Sequence, residues 1–295
     1  MNYKKFINNQ NWNIGFVDIT ARQLISKQKL GKIEWMKHSY KDRFFADPFV
    51  LTSNFEQIVV FAEELEFDKP IGRLVELIID AKTKQLLERY ILLQLDTHLS
   101  YPIIKKIGDK VYVYPENGIS GRLSMYEYIP ETHSLKFLDV VIDEALADAT
   151  IVEWGDKSYL FATKMPLTQE NLHLYSSSEF GKGYKEIGLV ERSKSFSRSG
   201  GNLFVVNNKL YRPTQDCEKR YGGGVNIMEV VNIEGEYKEE KVMSLYPNSF
   251  KYNLGLHTIN FYDNGCVVDG YGYLYPILGR IHYFLWFCKK IIKKF

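Results

Sequence analysis

The chain of 295 residues carries 38 basic and 36 acidic side chains, a formal net charge of +2, and so lacks the basic excess of a nucleic-acid binder. Its three cysteines, Cys217, Cys266 and Cys288, fit neither a disulfide framework nor a zinc site. No Gly/Ser-rich or Pro-rich linker interrupts it, which argues for one domain over residues 1–272 and a distinct tail over 273–295.

In chain order, residues 1–9 lack an apolar core of signal-peptide length, so the expected location is the reducing cytoplasm. Residues 12–17 and 32–36 then read as two strands of a hairpin. The next strand opens Ala46-Asp47-Pro48-Phe49-Val50. Four further openings echo it: Tyr101-Pro102-Ile103-Ile104, Asp148-Ala149-Thr150-Ile151-Val152, Gly201-Asn202-Leu203-Phe204-Val205 and His257-Thr258-Ile259-Asn260-Phe261. Anchors at 47, 101, 148, 201 and 257 step by 54, 47, 53 and 56 residues. Each opening leads to a turn and a second strand, as in Gly108-Asp109-Lys110 before Val111-Tyr112-Val113-Tyr114 and Asn207-Asn208-Lys209 before Leu210-Tyr211. A β-type period near fifty predicts one four-stranded blade per repeat, hence an all-β, five-bladed β-propeller. The fifth repeat lacks an outer hairpin and the N-terminus supplies one, so pairing the two closes the ring and removes exposed edges. Five unrelated hairpins in a β-sandwich are the competing fold.

The first strand of a blade lines the channel, so Asp47, Tyr101, Asp148, Asn202 and His257 are expected at one mouth. Second strands end in polar residues at a nearly constant offset: Glu63, Glu116, Thr163-Lys164 and Gln215-Asp216. Asp47 and Asp148 recur in phase with the repeat, as a general base and the group that tunes it would, with Glu116 a further acid. Glu63, Tyr101, Arg198, Asn202, Arg212, Gln215 and His257 are the candidate substrate contacts. Arg198, Arg212 and Lys164 offer positive charge to a phosphate, while Tyr101 and Tyr211 offer ring faces to a sugar. No metal-ligand spacing occurs and no cofactor is expected, although carboxylates around a mouth can hold calcium. A strand-start Asp also caps backbone amides in ordinary turns, which is the structural alternative for Asp47 and Asp148.

The Ala46-Asp47-Pro48 opening resembles that of glycoside hydrolase family 43 propellers, and Asp148-Ala149-Thr150-Ile151-Val152 is similar to the segment carrying that family's second Asp. The resemblance implies a base at Asp47 and a pKa modulator at Asp148. The family's third acid, a Glu opening the fourth blade, is missing, because this chain has Ser199-Gly200-Gly201-Asn202 there. Ser100-Tyr101-Pro102, Pro115-Glu116, Gly200-Gly201 and Leu210-Tyr211-Arg212-Pro213-Thr214-Gln215-Asp216-Cys217 with Tyr221-Gly222 resemble more closely the N-terminal propeller of glucosamine inositolphosphorylceramide transferases and its bacterial relatives, over roughly residues 12–272.

The resemblance implies a carbohydrate-active protein of cell-surface glycan or polysaccharide synthesis. Glycosyl transfer involving a sugar, sugar nucleotide or lipid-linked glycan leads, and inverting hydrolysis or simple glycan binding are the alternatives. Residues 274–295, LYPILGRIHYFLWFCKKIIKKF, end in Lys289, Lys290, Lys293 and Lys294 and predict an amphipathic basic helix. The run is too short to span a bilayer, so it is expected either on an anionic membrane surface, at the inner face, or packed on the propeller.

Overall fold

The computed structural model describes residues 10–292, apart from the side chains of Gln10, Trp286, Phe287 and residues 289–292. Lys289, Lys290, Lys293 and Lys294, on which part of the tail expectation rests, therefore lie outside what is described. Five four-stranded antiparallel sheets form the ring expected from the period. β1 (Gln10–Val17), α1 (Ala21–Lys27) and β2 (Glu34–Trp35) come first. Blade I holds β3 (Arg43–Ser53), β4 (Gln57–Glu66), β5 (Lys69–Asp80) and β6 (Leu86–Leu93). Blade II holds β7 (Ser100–Ile107), β8 (Lys110–Glu116), β9 (Leu123–Ile129) and β10 (Ser134–Ile142). Blade III holds β11 (Leu146–Trp154), β12 (Lys157–Lys164), β13 (Leu172–Ser177) and β14 (Lys185–Val190). Blade IV holds β15 (Phe204–Val206), β16 (Lys209–Asp216), β17 (Gly224–Asn232) and β18 (Lys238–Leu245). Blade V pairs β19 (Ile259–Tyr262) and β20 (Gly265–Tyr273) with β1 and β2, and β1 runs antiparallel to β20 from Gln10↔Tyr273 to Val17↔Cys266. Helix α2 (Pro276–Ile292) follows.

Period-two alternation gives each sheet two apolar faces, and each face is buried against the next blade. The core accordingly divides into five clusters, one per interface. Ile14, Phe16 and Val267 of blade V meet Phe45, Val60 and Val75 of blade I. Phe61 and Leu74 meet Val113 and Tyr126 across I and II. Tyr101 and Ile103 meet Leu146 and Leu160 across II and III, and Tyr159 and Phe161 meet Leu210 across III and IV. The last interface, IV against V, is completed by Leu24 of α1, which is fully buried. A reciprocal capping box starts that helix: Gln23 N donates to Thr20 Oγ1 at 3.3 Å, and Thr20 N donates to Gln23 Oε1 at 3.0 Å. α1 lies between the two N-terminal strands and was not anticipated.

The innermost strands open on a shared irregularity. Ladder pairing is continuous up to Ala46↔Glu63, Ser100↔Glu116 and Ala147↔Thr163, then slips by one residue. The residue after each break, Asp47, Tyr101 and Asp148, is left-handed, with φ of 49°, 47° and 44°. Three non-glycine residues in that region at one repeat position mark a bulge that re-aims side chains at the channel. In blade IV the matching bridge is Ser199↔Thr214, so Gly200 and not Asn202 stands in phase. Asn202 falls lower, its N–H donating to Asn260 Oδ1 at 2.7 Å. There it lines a separate 370 Å³ cavity with Lys106, Asn260 and Asp263.

Candidate active site at the channel mouth

The bulged backbone leaves an N–H pointing across to a neighbouring blade at each opening, and carboxylates accept all three. Asp269 of blade V accepts from Asp47 N at 3.2 Å, Asp47 accepts from Tyr101 N at 3.3 Å, and Glu116 accepts from Asp148 N at 2.9 Å. The acids thus link blades V to I, I to II and II to III. Asp148 then joins the fourth blade: its carboxylate takes Arg198 Nε, Arg198 Nη2 at 3.1 Å and Gln215 Nε2. Arg198 Nη2 also donates to Glu116 at 3.0 Å, so one guanidinium holds two carboxylates. His257 closes the circuit, with Nδ1 at 2.6 Å from Asp269 and Nε2 at 3.6 Å from Asp47.

These partners split the proton affinities of four acids, of which Asp47, Asp148 and Asp269 are buried and Glu116 half-buried. Burial alone would raise Asp148, but the Arg198 guanidinium outweighs it and holds the carboxyl below its usual range. Glu116 goes the other way, pushed up by burial and by the Asp148 charge in spite of Arg198. Asp47 is also pushed up, by burial first, with Asp148, Glu63 and Asp269 adding to it against His257. Burial lowers His257, yet Asp269 and Asp47 more than compensate and raise it to about 9. Asp269 is lowered despite its burial, because His257 and the backbone N–H and hydroxyl donors around it favour the anion. Opposite displacements in one mouth are the pattern from which acid and base roles are built.

Not every expected residue joins this group. Asp47, Asp148, Glu116, Arg198, Gln215 and His257 do. Glu63 is beside them, buried, with its carboxylate 3.2 Å from His98 Nε2. Tyr101 offers no ring face: it is wholly buried under the mouth, edge-on to Phe49, with its hydroxyl 3.1 Å from Thr150 Oγ1 and accepting from Gly201 N at 2.7 Å. Arg212 is equally inaccessible, because Glu239 takes its guanidinium at 2.8 and 3.0 Å and the Phe196 and Ser197 carbonyls take the rest. Its strand alternates sides, so Gln215 reaches the mouth and Arg212, three residues earlier, cannot. Lys164 is spent on Glu144 and Glu186 at 2.7 and 3.0 Å. Tyr211 is buried against Phe204, with ring centroids 5.4 Å apart.

Asp269 was missed. It obeys the same rule as Glu63, Glu116 and Gln215, a polar residue on the second strand. Asp269 lies only four residues past its hairpin at Gly265, whereas Glu116 and Gln215 lie six past theirs at Lys110 and Lys209, which takes Asp269 out of phase. Asp47, His257 and Asp269 each bring one ligand atom within 4.8 Å of the others. That trio does not fit calcium, which takes six to eight oxygens. One member is an imidazole, and Asp269 already accepts from His257 N, Thr258 N, Thr258 Oγ1 and Asp47 N.

Aromatic rings build the rim. Trp12 stacks on His257 at 4.0 Å between centroids and on Tyr271 at 4.6 Å. Tyr221 meets His257 edge-on at 5.5 Å and carries the Arg198 guanidinium over its face, also at 5.5 Å. Trp12 and Tyr221 in turn wall a cavity of about 450 Å³ that reaches Arg280 and Tyr283 of helix α2.

The N-terminal family model of glucosamine inositolphosphorylceramide transferase 1 matches residues 25–255. The transferases of that name from Oryza sativa subsp. japonica and Arabidopsis thaliana are 32% and 31% identical over 154 and 155 residues, in each case 49% of this chain. The aligned part is 21% and 20% of those relatives, so the chain spans about a fifth of their length. Among solved structures, the RS223 β-xylosidase superposes with a TM-score of 0.56 at 9% identity, covering 77% of this chain and 91% of its own. An α-L-arabinofuranosidase from Podospora anserina, solved with cellotriose, gives 0.54 at 12% identity over 73% and 75%. At those identities the likeness is one of fold. The sequence match over most of the ring establishes more: the chain belongs to the family of the glucosamine inositolphosphorylceramide transferase 1 N-terminal domain.

Proposed function

We propose that the acidic mouth binds a sugar and serves glycosyl transfer during assembly of a cell-surface glycan. The observation that carries this reading is the convergence of Asp47, Glu116 and Asp148 on one opening with opposed proton affinities. The relatives named as transferases and the carbohydrate-cleaving enzymes that share the fold support a sugar as the ligand. In the step, an acceptor hydroxyl attacks the anomeric carbon, the bond from that carbon to the donor's phosphate oxygen breaks, and phosphate leaves with the electron pair. The hydroxyl proton passes to Asp47, whose proton affinity is raised by burial. Asp148, kept ionised by Arg198, stabilises the positive charge that develops on the sugar ring. Hydrolysis of an unactivated glycoside demands a proton for the leaving oxygen, and Glu116 is the raised acid beside Asp148 that supplies it in that alternative.

A panel of nucleotide sugars and aryl glycosides, offered to wild type, Asp47→Asn and Glu116→Gln, separates these readings. Transfer lost in Asp47→Asn and retained in Glu116→Gln is the expected result. Aryl-sugar release that needs both acids replaces transfer with hydrolysis. Absence of turnover, with sugar affinity kept in Asp47→Asn, reduces the site to glycan binding.

A second reading concerns location: helix α2 holds the protein against an anionic membrane surface. It meets the ring where Gly279 packs on the Tyr273 ring and Arg280 donates to Phe250 O at 2.5 Å. Ile277, Leu278, Ile281, Phe284 and Leu285 remain exposed. Apolar side chains beside a run of lysines suit the headgroup boundary. No helix among the described residues is long and apolar enough to cross a membrane.

A further inference from the structure

The cations that the sequence offered to a phosphate are all committed elsewhere: Arg198 to Asp148 and Glu116, Arg212 to Glu239, Lys164 to Glu144 and Glu186. A different set stands ready. The 450 Å³ cavity beside the mouth is lined by Lys219, Arg220 and Arg280, by Trp12 and further aromatic rings, and by no carboxylate among the described residues. Among those residues no carboxylate pairs with Lys219, Arg220 or Arg280 either. Lys219 and Arg220 also border an adjoining opening of about 530 Å³ with Asp216 and Glu218, where Ser195 and Tyr246 hold Asp216 at 2.9 Å each.

The cavity is built, not incidental. The Lys219–Arg220 loop is fastened against the mouth by Gly222, whose N–H reaches Cys217 Sγ at 3.3 Å and whose carbonyl accepts from Leu256 N at 2.9 Å. Gly222 has φ +59°, and a Cβ there would lie 2.9 Å from both the Trp12 ring and His257 Cβ. Only glycine allows this approach without strain. Arg280 arrives from the opposite side on helix α2, oriented by its hydrogen bond to Phe250 O and by the Phe250 ring 4.3 Å beneath its guanidinium.

We infer that this cavity binds the phosphate or diphosphate of a phosphorylated sugar whose sugar ring reaches past Trp12 to the acidic mouth. Lysine and arginine without a carboxylate partner, around an aromatic-walled cavity, recognise an oxyanion with charge-assisted hydrogen bonds. The mouth, rich in carboxylates, repels that same group, so the two openings fix the orientation of the ligand. The inference rests on the sugar-binding reading of the mouth. The phosphate belongs either to a soluble sugar nucleotide or to the headgroup of a lipid at the surface that α2 faces.

Calorimetric titration of the full chain tests it with inorganic pyrophosphate, UDP-glucose, unphosphorylated glucose, and phosphatidylcholine vesicles with and without phosphatidylinositol. Pyrophosphate binding should weaken about tenfold for each charge removed in Lys219→Gln, Arg220→Gln and Arg280→Gln. It should survive in Asp47→Asn, while the sugar contribution falls. Tighter binding of UDP-glucose assigns the phosphate to a soluble donor, and a response confined to phosphatidylinositol vesicles assigns it to a headgroup; either supports the inference. Equal pyrophosphate affinity in wild type and the charge variants, or no phosphate binding by a folded wild type that still binds sugar, overturns it. Phosphate binding without any sugar contribution would instead remove the function proposed for the mouth and leave the cavity's role intact.

Discussion

The channel mouth gathers Asp47, Glu63, Glu116, Asp148 and Asp269 around Arg198 and His257, while the cavity on the other side of Trp12 presents Lys219, Arg220 and Arg280 with no carboxylate in its described lining. In the mouth the charges are buried, Glu116 only partly, and answer one another across blades, from Asp269 through Asp47, Glu116 and Asp148 to Arg198. In the cavity Lys219 and Arg220 are exposed and Arg280 half-buried. A buried, mutually satisfied network carries structural weight whatever chemistry it does, because removing one member strands another in a low-dielectric site. Exposed cations cost folding almost nothing and stay available to a ligand. The two regions should therefore separate under mutation, one through stability and the other through binding.

The largest separation is expected at Arg198. Arg198→Ala leaves Asp148 and Glu116 without their shared cation and should cost about 3–5 kcal/mol. Arg220→Ala in the cavity should stay within about 0.5 kcal/mol. Denaturant unfolding of the two variants compares them directly, and similar losses would remove the distinction.

His257 makes the next test, through pH. Its folded pKa of about 9 stands above the unfolded 6.5, held up by Asp269 and Asp47 against burial. A group raised on folding contributes stability that is complete below the unfolded value and disappears as pH climbs through the folded one. Between pH 6.5 and 9 the protein should thus lose on the order of 3 kcal/mol from this residue. Unfolding free energies of His257→Gln should decline less over the same interval. An identical slope in wild type and variant would mean that the imidazole is not protonated in the folded mouth.

Gly222→Ala probes the shared wall. Forcing an alanine to φ +59° with a Cβ 2.9 Å from Trp12 and His257 should cost about 1–3 kcal/mol. It should also push the Lys219–Arg220 loop outward, weakening pyrophosphate and sugar binding together. Loss of one without the other would show that Trp12 does not couple the two openings.

How much of this was legible follows from which signals are periodic. The blades were readable because each repeats the same opening and hairpin, and Asp47, Asp148, Glu116 and Gln215 followed from keeping phase with them. Asn202 failed because two glycines shift blade IV, and Asp269 was passed over because it lies closer to its hairpin than Glu116 and Gln215 lie to theirs. Arg212 and Lys164 came from reading strand ends without asking which face each residue takes. Tyr101 was placed correctly along the chain, but the bulge sends its ring beneath the mouth, which no spacing rule reveals. The cavity is the least legible part: Trp12, Tyr221, Asn253 and Arg280 lie far apart in sequence and meet only when β1 closes blade V and α2 folds back. The Thr20–Gln23 capping box was visible in the sequence, although nothing in the repeat drew attention to it.

The smallest stability effect, and the sharpest functional one, is expected on helix α2. Phe284 and Leu285 are 64% and 54% exposed, so replacing both with Ser removes apolar area that the ring does not bury. Stability should change by no more than about 0.5 kcal/mol. Pyrophosphate binding should persist, because Arg280 is untouched. Sedimentation with vesicles of phosphatidylcholine and phosphatidylglycerol should fall well below wild type. The residue of binding left in the Ser variant should vanish as salt is raised, since lysines contribute about 1 kcal/mol each only within a Debye length of about 8 Å of the surface. Undiminished sedimentation of the Ser variant would move the membrane contact off this helix. A folding loss of several kcal/mol would mean that the helix packs on the ring in solution and that its apolar residues serve the fold.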